Sequence, residues 1–178
     1  MLYKAAYDIA FTIVGEIQPL CDRVHIAGSV RRKKPQVGDI EIVCQVPHNL
    51  RTRLGLTLRQ FGEHRSGQYS GRYCKLWLTQ NIQLDLFMPQ SDDYYRQLAI
   101  RTGSAEYSHK VLAAAWTRLG WVGTEDGLRR REQCQQKSGK WQCVASPGDI
   151  IKPPVWTSEE DFFDFLNIVY LDPQHRGL

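Results

Sequence analysis

Apolar positions recur along the chain with two different periods, and the switches between them mark the elements. Ala6, Ile9, Ala10, Ile13, Val14 and Ile17 follow the spacing of one helix face, which predicts an amphipathic helix over about Tyr3–Ile17, ended near Pro19. Val24–Ala27 reads as a short strand, Gly28-Ser29 as a turn, and Arg31–Val37 as a basic connection containing Pro35. The period then becomes two. Across Asp39–Val46, Ile40, Ile42 and Cys44 share one face while Asp39, Glu41 and Val43 share the other. His48–Phe61 returns to helical spacing through Leu50, Leu54, Leu58 and Phe61. Two strands follow, Tyr73–Leu78 and Ile82–Phe87, joined by a Thr79-Gln80-Asn81 turn. In the second, Ile82, Leu84 and Leu86 oppose Gln83, Asp85 and Phe87. After an Asp/Tyr-rich stretch, Ser91–Leu98, Ser104 is placed to cap a helix over Ala105–Leu119, with Gly120 as its stop.

From Trp121 the pattern shortens into strand-and-turn segments, Val122–Arg130 and Gln133–Val144, interrupted by Pro147 and Lys152-Pro153-Pro154. Thr157-Ser158-Glu159-Glu160 has capping-box order, with Thr and Glu three apart, and opens a helix over Glu159–Tyr170. The expected architecture is α+β in two lobes. Residues 1–100 form a mixed sheet with helices on one face, and residues 101–178 a smaller α+β subdomain.

Composition narrows the class. Hydrophobic residues at 42% and charged residues at 24% exclude a disordered chain. No apolar run approaches the ~20 residues of a membrane span, so no membrane partner is expected. Met1–Phe11 carries Lys4 and Asp8 within a helical pattern and does not read as a signal peptide. Five cysteines, an odd count without a CxxC pair, point to reduced thiols in a cytoplasmic setting. Cys134 and Cys143 flank a turn across which they can face each other, but no histidines stand near to complete a zinc site.

Asp39 and Glu41 lie two apart on a strand and point to one face, and Asp85 lies on the polar face of another. If those strands are neighbours, three carboxylates converge, and their repulsion calls for divalent cations. Oxygen-only ligands suit Mg²⁺ or Mn²⁺. Two such ions serve an in-line phosphoryl transfer to a hydroxyl. Upstream, Gly28-Ser29-x-Arg31-Arg32 has the makings of a phosphate cradle, with Ser29 ten residues before Asp39. Glycine lets a phosphate approach the backbone, serine donates to it, and arginine offers a planar cationic fork. Gly38 adds a second close-approach position. The net charge of +4 leans the same way, with basic clusters at Arg31–Lys34 and Arg129–Arg131.

Gly28-Ser29-Val30-Arg31-Arg32 followed by Val37-Gly38-Asp39-Ile40-Glu41 resembles the nucleotidyltransferase signature of family X DNA polymerases. Gln83-Leu84-Asp85-Leu86-Phe87 resembles the strand bearing that family's third catalytic aspartate, and Thr102-Gly103-Ser104 its nucleotide-contacting turn. Trp156–Arg176 resembles the closing segment of its thumb. The resemblance implies a nucleotidyltransferase palm followed by a thumb-like subdomain, as in the reduced viral members. It implies that Asp39, Glu41 and Asp85 are catalytic and hold two Mg²⁺ or Mn²⁺ ions, and that Gly28, Ser29, Arg32, Gly38, Thr102 and Gly103 bind the incoming dNTP. Primer-template or gapped DNA would lie against Arg31, Lys33, Lys34, Arg118, Arg129, Arg130 and Arg131. The implied function is template-directed, gap-filling DNA synthesis by a monomer, without lyase activity, because no helix-hairpin-helix glycine signature is present. Three departures stand out: Glu41 replaces an aspartate, Gln83 an arginine, and Ile100-Arg101 an aromatic pair. Two other functions fit the same residues, a template-independent or small-acceptor nucleotidyltransferase and a non-catalytic nucleic-acid-binding remnant.

Overall fold

The first helix, α1 (Tyr3–Ile17), forms where its spacing predicts and fully buries Ala6, Ala10, Ile13 and Ile17. They lie in a computed structural model that describes residues 1–177. The α1 face covers a five-stranded mixed sheet built from β1 (Arg23–Ile26), β2 (Asp39–Gln45), β3 (Gly62–Gly67), β4 (Tyr73–Leu78) and β5 (Gln83–Phe87). The strand order is β1-β2-β5-β4-β3, with β2 and β5 parallel and the other pairings antiparallel. Ile40, Ile42 and Cys44 of β2 and Leu84 and Leu86 of β5 join Leu76 and Cys74 of β4 beneath α1. Leu54 and Leu58 of α3 (Arg51–Arg59) complete this core. A four-residue helix, α2 (Gly28–Arg31), replaces the turn expected after β1.

Two elements depart from the expected pattern. Strand β3 has the sequence Gly-Glu-His-Arg-Ser-Gly and is exposed along nearly its whole length. It is an edge strand held by backbone pairing to β4, and its charges discourage further pairing, which hides it from any apolar alternation. The second is α4 (Tyr94–Thr102), which forms within and beyond the stretch left without regular structure. Tyr94 and Leu98 pack on Val43 and Ala27, on the sheet face that carries the carboxylates. Helices therefore cover both faces of the sheet rather than one.

Residue 100, the expected lobe boundary, falls inside α4. Ala99 belongs to a second core with Tyr107, Leu112, Trp116, Trp121, Trp156, Phe162 and Phe163. Ser104 caps the next helix by accepting from the Tyr107 amide at 3.0 Å. That helix runs from α5 (Ala105–Tyr107) through a π-helical stretch (Ser108–Ala113) into α6 (Ala114–Arg118). Two hairpins follow: β6 (Trp121–Thr124) with β7 (Gly127–Arg130), and β8 (Cys134–Lys137) with β9 (Lys140–Cys143). Cys134 and Cys143 are direct cross-strand partners, and both are free thiols. The last helix, α7 (Glu159–Phe165), is capped by Ser158 with Asp161, one residue later than the Thr157–Glu160 pair. It stops short of Tyr170 because Asn167 takes a left-handed φ of 54°. Among the described residues, no helix is long and apolar enough to cross a membrane.

Candidate functional site

The parallel pairing of β2 and β5 sets Glu41 directly beside Asp85 and Asp39 beside Gln83. Because Ile40, Ile42, Leu84 and Leu86 are drawn into the core, Asp39, Glu41 and Asp85 must share the opposite face. Asp85 is only 9% exposed and accepts hydrogen bonds from the Tyr73 hydroxyl at 2.9 Å and the Gln83 amide at 3.0 Å. The Lys75 ammonium lies 3.9 Å away. Burial raises the Asp39 carboxyl above its ordinary range, and the charge on Asp85 raises it further. Glu41 is pushed up to about 7, first by burial and then by Asp39, with Arg101, and more weakly Arg32, pulling it down. Tyr73 is pushed up to about 12 by burial and by its bond to Asp85. Three carboxylates thus share one partly buried patch with three cations, Lys75, Arg32 and Arg101, and burial still holds Asp39 and Glu41 above their ordinary range.

The segment leading into this strand is built around Glu41. Gly28 takes a φ of 60°, and a Cβ there would lie 2.1 Å from Glu41 Oε2. Only glycine allows both the left-handed backbone and the carboxyl resting on it. The Ala27 amide donates to the Glu41 carbonyl at 2.8 Å, joining the segment to β2. The Ser29 hydroxyl is covered and has no hydrogen-bond partner, nor has Nε of Arg32 or of Arg101. Buried donors left this way are costly unless a ligand or water supplies the acceptor. Arg32 is held by its Nη1, which donates to the Thr102 carbonyl at 2.6 Å. Arg101 lies over the Phe87 ring, 3.9 Å from its centroid. Gly38, next to Asp39, is exposed, and a Cβ there would meet nothing within 4 Å, so packing does not demand its glycine.

Other expected site residues are engaged within the fold. Thr102 is fully buried, and its hydroxyl accepts from Arg31 Nη1 at 2.7 Å. A Cβ on Gly103 would strike the Tyr107 ring at 2.7 Å, so this glycine answers to packing. Arg31 is bound in bidentate fashion to Glu159, at 3.1 and 2.9 Å. Arg129 is 5% exposed and donates to its neighbour's carbonyl, that of Leu128, at 2.7 Å. Arg129 turns inward and is unsuited to the surface contact expected of it, while Arg31 is half-buried and engaged by Glu159. Lys33, Lys34, Arg118 and Arg131 are exposed, and Arg130 lies half-buried over Trp121.

A cavity of about 710 Å³ opens beside the carboxylates, lined by Glu41, Asp85, Tyr73, Arg101 and Gln97 among others. Across its mouth Arg72 binds Asp126 at 2.6 Å and the Glu125 carbonyl, tying β4 to the β6–β7 turn. Tyr73, Lys75 and Arg101 were not singled out from sequence as site residues. The alternation of β4 carried the signal for two of them, since Lys75 pairs with Asp85 and Tyr73 with Phe87.

The donor set is all oxygen, which fits a hard divalent cation. Among the described residues, however, no three His, Cys, Asp or Glu side chains are gathered closely enough to hold one ion as they stand. Asp85 is turned toward Tyr73 and Gln83, and the Glu41 carboxyl rests against Gly28. A scan against models of protein families finds no match to the chain, and a search of curated proteins finds no relative.

Proposed function

We propose that the chain is a metal-dependent nucleotidyltransferase of the family X DNA polymerase type, adding dNTPs to a primer 3′-hydroxyl at short DNA gaps. In this reading the sheet-bearing part is a palm and the part after α4 a thumb-like subdomain. The observation that carries it is the set of three carboxylates on adjacent parallel strands, next to a covered Ser29 hydroxyl and an Arg32 Nε that lack partners.

Asp39, Glu41 and Asp85 would hold two Mg²⁺ or Mn²⁺ ions, whose chemistry is to neutralise phosphate charge and acidify an attacking hydroxyl. The Ser29 hydroxyl donates to a phosphate oxygen, and Arg32 offers its free Nε beside it. Gly38 leaves its backbone open to close approach. Asp85, pinned by Tyr73 and Gln83, accepts the hydrogen bond of the attacking hydroxyl and orients it. Thr102 is fully buried, so the sugar contact passes to groups lining the cavity, of which Gln97 and Arg101 are nearest in sequence to the Thr102–Gly103 turn. Lys33, Lys34, Arg118 and Arg131 meet the duplex backbone, which gives salt-dependent affinity without sequence preference.

The test is extension of a labelled primer on one-nucleotide-gapped DNA, each dNTP supplied singly, in Mg²⁺ or Mn²⁺, beside an Asp85→Ala control. Templated addition that falls at least a hundredfold in the control is the expected result. No addition with either metal sinks the polymerase reading and leaves the small-acceptor transferase. Binding of DNA without any transfer leaves the non-catalytic remnant.

A further inference from the structure

The stretch from His48 to Arg72 carries Arg51, Arg53, Arg59, Arg65 and Arg72 against one acid, Glu63. Its formal charge of +4 therefore equals that of the whole chain. The sole acid is occupied, paired with Arg65 at 3.3 Å. Three of these arginines, Arg51, Arg53 and Arg59, belong to α3 and lie behind the sheet. Leu54 and Leu58 of α3 share a core with Ile40 and Ile42, which puts α3 on the face away from Asp39, Glu41 and Asp85.

Between α3 and the loop joining β3 to β4 is a pocket of about 330 Å³, lined chiefly by His48, Arg51, Thr52, Arg59, Tyr69 and Ser70. Arg51 gives the pocket a fixed wall, because its Nη1 donates to the Ser70 carbonyl at 2.6 Å and the Gly71 carbonyl at 2.7 Å. Tyr69 lies against Gly55 so closely that a Cβ there would stand 2.7 Å from the ring. The Tyr69 hydroxyl is covered and has no partner. Among the described residues, neither His48 nor Arg59 has an ion-pair partner. Every side chain named here can donate, three of them can carry positive charge, and no carboxylate lines the pocket. What such a site lacks is an anionic acceptor with several oxygens, and arginine forks match a phosphate best.

We propose that this pocket binds a phosphate group, separately from the carboxylate face of the sheet. A nucleic-acid strand and free phosphate offer the same chemistry, and the experiment separates them. Amide spectra of ¹⁵N-labelled protein would be recorded in chelator, so that the outcome is independent of any reaction at the carboxylates. Inorganic phosphate is titrated first, then a short oligothymidine with and without a 5′-phosphate. The expected result is a saturable shift of signals from residues 48–59 and 68–71, weakened about tenfold in Arg59→Gln and in His48→Gln, both of exposed side chains. An undisturbed spectrum elsewhere shows that each variant is folded. Shifts produced by the oligonucleotide and reversed by phosphate assign the site to a strand, and shifts with phosphate alone assign it to a small anion. No shift in these residues with any of the three probes, or full affinity in both folded variants, overturns the proposal.

Discussion

Two groups of ionised side chains in this molecule are withdrawn from solvent, one fully and one in part, and are treated oppositely. Glu159, 4% exposed, lies between Arg31 and Arg176, and Arg176 is fully buried. Arg176 reaches it at 2.6 and 3.2 Å, and Arg31 at 3.1 and 2.9 Å. Burial alone would raise the Glu159 carboxyl, but the two guanidinium groups outweigh it and hold the group below its ordinary range. Glu41 is half-buried with two carboxylates beside it, and it rises to about 7 although Arg101 and Arg32 pull it down. One cluster is complete within the chain and acts as a structural knot joining α2, α7 and the C-terminal segment. The other is incomplete, and it weakens the metal-free fold at neutral pH unless a cation arrives from outside. Burial alone does not tell a structural charge from a functional one; the balance of charge around it does.

The sharpest way to break this contrast is Glu159→Gln. It leaves Arg176 buried without its counter-charge, at a cost of about 3–5 kcal/mol. For a chain of this length that lowers Tm by on the order of 10 °C. Asp85→Asn, although its site is also buried, removes like-charge repulsion and is expected to leave the metal-free Tm unchanged or raised. Thermal unfolding of both variants in chelator is sufficient, and a Glu159→Gln protein that melts with wild type would show that the knot carries no stability.

The next effect is pH-dependent. An acid whose pKa is higher in the folded state favours folding while it is protonated. The Glu41 contribution is therefore fully present below about 4.5 and is lost as pH rises through about 7. A shift of this size corresponds to about 3 kcal/mol. Metal-free wild type should lose stability against Glu41→Gln across that window, and the two should run parallel below it. Parallel curves throughout would mean that Glu41 titrates normally.

The incomplete cluster was much easier to read from sequence than the complete one. Asp39, Glu41 and Asp85 stand out because each interrupts an alternation whose other face is apolar, and local period is what sequence displays. Only their adjacency required the sheet order. The knot joins residues 128 and 17 positions apart, and nothing local to Arg31, Glu159 or Arg176 announces it. For the same reason Arg31 and Arg129 read as surface cations. Helix α4 was hidden because its buried face includes Arg96 and Thr102, polar residues that find partners inside: Arg96 in Asp93, three residues earlier at the start of the helix, at 2.5 Å, and Thr102 in the distant Arg31. Strand β3 was hidden for the opposite reason, having almost no buried side chain.

A smaller effect measures how far an outside cation completes the patch. Mg²⁺ or Mn²⁺ at a hundred times its dissociation constant adds about 2.7 kcal/mol to stability, and at ten times about 1.4. Tm should rise with cation in wild type and stay flat in Asp85→Asn. The rise should shrink below pH 7, where a proton occupies Glu41. An equal rise in both proteins would place the bound ion elsewhere.

The smallest effect separates a tied cation from a free one. Arg31 and Lys34 stand three apart in the same basic run, yet Arg31 is engaged by Glu159 and Thr102 while Lys34 is exposed. If the run serves DNA through its free members, Lys34→Gln should leave Tm unchanged and reduce the salt dependence of duplex binding by about one unit of log–log slope. Arg31→Gln should do the reverse, lowering Tm and leaving the slope intact, because its charge already has a partner within the fold. Binding to a short duplex over a series of salt concentrations, beside a melting curve for each variant, gives both readouts. A slope that falls with Arg31→Gln would mean that the guanidinium leaves Glu159 when DNA arrives, and the structural knot would then be part of the binding site.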